Sequence, residues 1–161
     1  MAVVNTKTAS VTAKDSTPNT LSNPRFRTVW DGGAVDIAAA DDDTSVYRVC
    51  RVHSSQRIFG VYVTNAAITG GTDYDLGFYR TAADGGALVD KDNIVDGATM
   101  ASARLIPTAL AFTTGTDFGK RVWEIAGLTS DPNIEYDICW TANTVGSGAG
   151  TLTTWLEISA V

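Results

Sequence analysis

The chain has one histidine, two cysteines and no long apolar run, and each shortage removes a class of function. With His53 alone, a histidine-rich metal centre has no ligands to draw on. Cys50 and Cys139 lie too far apart in sequence for a CxxC pair. Both stand in apolar, strand-like runs, "YRVCRV" and "YDICWTA", so reduced, buried thiols are expected rather than a disulfide. Basic residues are scarce: 12 Lys and Arg against 18 Asp and Glu leave a net charge of -6. That balance opposes nucleic acid and anionic membranes, which are held by clustered cations. The opening "MAVVNTKTAS" lacks the basic region of a signal peptide, and no stretch approaches the roughly 18 apolar residues of a membrane span. A soluble protein made in a cytoplasm is expected.

What is present points to β structure. A chain of 161 residues fits one domain with its own core, and 15 glycines with many threonines suit short strands and tight turns. Turn signals recur at Gly32-Gly33, Asp41 to Asp43, Ser54-Ser55, Gly70-Gly71, Gly85-Gly86, Gly115, Asp131-Pro132 and Gly146 to Gly150. This spacing predicts an all-β, antiparallel sandwich or barrel of about eight strands over residues 25 to 161. Residues 1 to 24, rich in Thr, Ser and Asn and carrying Pro18 and Pro24, read as an extended N-terminal arm.

Alternation predicts the core faces: Phe59, Val61 and Val63; Tyr74, Leu76 and Phe78; Tyr136, Ile138 and Trp140; Leu152, Leu156 and Ile158. On the same parity Asp75 and Asp137 point away from the core. One short helix, of at most two turns, is expected within "DKDNIVDGATMASARL", with Asp96 as its N-cap.

Candidate chemistry is thin. A calcium loop starting at Asp90 would need an oxygen ligand, a glycine and a glutamate where Ile94, Val95 and Ala101 stand. A looser oxygen site from Asp73, Asp84, Asp90 or Asp92 competes with the preference of aspartate for turns. Asp73 and Asp75 would lie about 6.5 to 7 Å apart on one strand face, a glycosidase-like spacing that solvated acids at a strand end also show. His53 sits at a strand end, where a solvated histidine is the default. No nucleophile elbow, phosphate loop or HExxH helix is present, so no cofactor and no enzyme activity are expected.

The aromatic residues remain. Trp123 and Trp140 fall on core parity, Trp155 alternates with Leu156 and so faces the other way, and Trp30 follows the arm. Trp30 and Trp155, with Val3 and Val4 of the arm, are the candidate interface residues. The competing reading is that the arm or the second sheet covers Trp155.

The succession "RIFGVYVTNA", "DYDLGFYRTAADGGALVD", "GKRVWEIAGLTSDPNIEYDICWTAN" and "GTLTTWLEI", residues 57 to 161, resembles small virion proteins of tailed bacteriophages, in particular capsid cement or decoration proteins of jelly-roll type. The resemblance implies a non-enzymatic virion protein on the outer capsid surface. It would act as a homo-oligomer, commonly a trimer, with the major capsid protein as partner and no role for nucleic acid or membrane. It assigns no individual residue a function. A carbohydrate- or receptor-binding sandwich of a phage tail or fibre is the alternative, with Trp155, Tyr79 and Trp30 stacking on sugar rings.

Overall fold

The computed structural model describes residues 28–160, so the arm expected over residues 1 to 24, with Val3 and Val4, lies outside the described residues. Eight strands follow in order: β1 Thr28–Ile37, β2 Val46–His53, β3 Ile58–Asn65, β4 Asp73–Arg80, β5 Leu88–Ala98, β6 Arg104–Leu110, β7 Glu135–Thr144 and β8 Gly150–Ser159. They form two antiparallel four-stranded sheets, ordered β1-β8-β3-β6 and β2-β7-β4-β5. That interleaving, in which consecutive strands alternate between sheets except at the β4–β5 hairpin, is a jelly roll of two Greek keys. Among the described residues no helix is long and apolar enough to cross a membrane.

Alternation builds the core as expected on β4, β7 and β8: Tyr74, Leu76, Phe78, Tyr136, Ile138, Trp140, Leu152, Leu156 and Ile158 are all buried between the sheets. Two of the polar groups that enter this space are matched. The Trp140 indole N–H donates to Thr154 Oγ1 at 2.8 Å and so joins the two sheets, and the Tyr74 hydroxyl donates to the Val145 carbonyl at 2.8 Å. Each bond removes the penalty of a buried orphan group.

Three expectations are corrected. The segment expected to be a short helix is strand β5 followed by a turn, and Asp96 caps nothing: Val95 pairs with Leu76 and Ala98 with Tyr74. The run misleads because β5 is bulged, with Ile94 and Val95 both buried and Gly97 at φ +65°, which erases the period of two. Phe59 does not share a face with Val61 and Val63. A register shift between Ile58 and Gly60 turns Ile58 inward instead and leaves Phe59 half-buried, edge-on to Phe118 with ring centroids 6.1 Å apart. Trp123 is also only half-buried. It lies on α1, a single turn from Val122 to Ile125 held by the Arg121 N–H donating to Glu124 Oε2 at 2.8 Å, whose two ends take the core positions.

Candidate interaction surface

On the outer face of the second sheet the buried charges are paired. Asp137, buried on β7, accepts from Arg48 Nη1 at 2.6 Å and from Arg51 Nε at 2.7 Å, both from the neighbouring strand β2. Arg48 also lies over the Tyr79 ring at 5.9 Å, while the Tyr79 hydroxyl meets Thr141 Oγ1 at 2.7 Å. Cys139 is buried on this face beneath Arg48, and burial pushes its thiol up to about 12. Cys50 points to the inner side opposite Ile138, and burial raises it further. Both cysteines are free thiols.

On β4, Asp75 is equally enclosed. It accepts from the Gly97 N–H at 2.9 Å and from Asn143 Nδ2 at 2.5 Å, and the Lys91 ammonium stands 3.3 Å away. Burial alone would raise its carboxyl, but these hydrogen bonds and the Lys91 charge together hold it below the ordinary value. Asp75 and Asp137 do leave the core face as their parity requires, yet each is buried under cations and hydrogen bonds, so neither is a solvated carboxylate.

Of the aspartates considered for a cation site, Asp92 comes close to Asp75 and Asp96, with one oxygen from each within 4.8 Å. Asp73, which shares the Asn143 amide with Asp75, and Asp84, hydrogen-bonded to Thr81, are not part of this group. Hydrogen bonding with Asp90, then burial and the neighbouring carboxylates, raises the Asp92 carboxyl. Lys91 already supplies a positive charge at the cluster. His53 ends β2 with Nδ1 2.8 Å from Ser55 Oγ.

The first sheet presents the opposite chemistry. Trp30 on β1, Tyr62 on β3 and Trp155 on β8 all project from its outer face; Trp30 is 54% exposed and Trp155 41%. Trp155 lies opposite Tyr62 in the ladder. The Trp30 and Tyr62 rings meet across β8 with centroids 4.9 Å apart, tilted at 53°. Gly60 makes this possible: a Cβ there would stand 2.8 Å from the Tyr62 ring, which lies over the glycine. The interface candidates Trp30 and Trp155 are therefore brought together, and the second sheet does not cover Trp155. Tyr79 is separated from them on the other sheet and buried, which removes it from any stacking trio; Tyr62 takes its place.

Sequence reading missed the remainder of this surface. Between Asn65 paired with Arg104 and Val63 paired with Thr108, strand β6 carries two extra residues, so Leu105, Ile106 and Pro107 bulge from the sheet edge. Leu105 is 88% exposed and Ile106 74%, and Leu105 walls a shallow recess with Thr64, Ala66, Thr151 and Thr153. Pro107 has no N–H to offer the ladder and suits such an edge. The available signal was "RLIP", two large aliphatics before a proline at a strand edge.

The outer face thus carries two tryptophans, a tyrosine and two branched aliphatics, with Asp36 and Glu157 as charges on β1 and β8. Asp36 accepts from Thr151 Oγ1 at 2.8 Å; Glu157 has no hydrogen-bond or ion-pair partner among the described residues. An aromatic centre inside a polar border is the composition of a protein-binding surface.

No protein-family model matches the sequence, and no curated protein matches it. Among solved structures, the chain is similar in fold to one from the cyanophage Pam1 capsid asymmetric unit. The two share 14% sequence identity and a TM-score of 0.55, and the likeness covers 90% of this chain and 96% of that one.

Proposed function

We propose that the protein is a non-enzymatic structural component of a phage virion, a cement or decoration protein that binds the outer capsid surface at capsomer junctions as a homo-oligomer. The observation that carries this reading is the apolar outer face of the first sheet. The second sheet pairs its buried charges internally, whereas the outer face of the first gathers three large aromatic anchor residues. The likeness of the whole jelly roll to a chain of a phage capsid supports the setting, and the acidic charge of the chain disfavours the packaged DNA. Several copies engaging one shell would make modest contacts hard to lose, because later contacts form at high effective concentration.

The test is cosedimentation of the purified protein with expanded shells of its parent phage that lack it, followed by heating. Binding at regular sites and delayed disruption of the shells are expected. Absence of binding, together with retention on a glycan array, would transfer the Trp30, Tyr62 and Trp155 surface to a sugar-binding module of a tail or fibre.

A further inference from the structure

Glu157 stands inside the aromatic patch. Its cross-strand neighbours on β8's two sides are Trp30 and Gly60, Trp155 precedes it by two residues on the same face, and the Tyr62 ring lies over Gly60. A carboxylate with aromatic neighbours in the ladder, and without an ion-pair partner among the described residues, is matched by a lysine or arginine. The ring quadrupoles and the carboxylate attract the same charge. Apolar residues beside that cation would cover the tryptophans.

The chain itself carries a segment of this chemistry. Lys7, Lys14, Arg25 and Arg27 against Asp15 give residues 1 to 27 a net charge of +3, which leaves -9 for the remainder of a chain whose total is -6. Lys7 follows the apolar pair Val3-Val4, whereas the charge of Lys14 is offset by the adjacent Asp15. The segment enters β1 three residues before Trp30. It contains Pro18 and Pro24, and the residue before each proline is biased towards extended backbone. Fully extended, 27 residues span up to about 90 Å, several times the roughly 15 Å radius of gyration of a domain this size.

We infer that the Trp30, Tyr62, Trp155 and Glu157 patch receives the N-terminal segment of a second copy, with Lys7 at Glu157 and Val3 and Val4 against the tryptophans. This rests on the homo-oligomeric reading above and deepens it. Each copy gives a segment and takes one, either by reciprocal exchange in a dimer or head to tail around a ring. The Leu105-Ile106 bulge is left free for the shell.

The full chain carrying p-benzoyl-L-phenylalanine in place of Val4 tests this by photo-crosslinking. The expected product has twice the chain's mass and maps to the β1, β3 or β8 residues of the patch. At subsaturating protein, Trp155→Ala should lower its yield about ten-fold or more. Lys7→Glu should lower it about three- to ten-fold, and Glu157→Lys in the same chain should restore it. Circular dichroism confirms that each variant keeps its strands. Crosslinks confined to one chain, crosslinks to another surface, or a yield indifferent to the charge exchange would overturn the inference. Shell binding measured in parallel separates the two readings. Crosslinks between copies without shell binding remove the cement reading alone, and shell binding without these crosslinks removes this inference alone.

Discussion

At the scale of residues, aspartates that look alike in sequence have opposite effects on stability. Asp75 is held below its ordinary 3.8, so its contribution is present above that value and disappears as the pH falls through the lower folded value. Asp75→Asn should therefore cost about 1–2 kcal/mol at pH 7, about 2–8 °C in melting temperature, and the gap should narrow near pH 3. Asp92 is raised by its hydrogen bond with Asp90, by burial and by neighbouring carboxylates, so its ionised form is unfavourable in the folded state. Asp92→Asn should raise the melting temperature at pH 7 by about 1–3 °C, with the difference gone once aspartate is protonated in both states. Thermal melts across pH check both signs. A melting temperature that rises in Asp75→Asn would show that its hydrogen bonds and the Lys91 pairing do not stabilise the fold. Cys139, with its thiol pushed up to about 12 by burial, should resist a thiol reagent at pH 8 until the protein unfolds. The outward parity of Asp75 and Asp137 was legible in the sequence. Their burial was not, because the cations that enclose Asp137 come from β2, some 86 and 89 residues away, and Lys91 reaches Asp75 from a bulge whose register no local pattern encodes.

At the scale of elements, strands with unbroken alternation were legible and bulged ones were not. β4, β7 and β8 keep a period of two and place Trp155 outward, while the bulged β5 has the local pattern of a short helix and the β6 edge bulge leaves no periodic trace. The β5 bulge crosses directly above Gly77 of β4, where an added Cβ would collide with the backbone of Asp90 and Lys91. Backbone cannot swing aside as a flexible side chain does. Gly77→Ala is expected to cost more than about 2 kcal/mol, a fall of at least about 4–8 °C. Calorimetry showing a change below 1 °C would mean that β5 does not press on β4 in solution.

At the scale of the molecule, the division of labour between the sheets is the functional statement. The second sheet pairs its buried Asp75 and Asp137 with its own cations, and the first leaves Trp30, Tyr62, Trp155, Leu105 and Ile106 at the surface. The jelly roll's strand count and antiparallel character followed from turn spacing, whereas its two-sided chemistry depends on which strands become neighbours. Burying Leu105 and Ile106 in a partner would contribute about 1.5–3 kcal/mol each. The most direct measurement of the central claim is therefore the affinity of the full chain, and of a Leu105→Asp and Ile106→Asp double variant, for shells that lack the protein. Saturable binding by the wild type that weakens by about 100-fold or more in the double variant is expected, with unchanged circular dichroism. Equal binding by both proteins, or binding by neither, would contradict the assignment of this face to the shell.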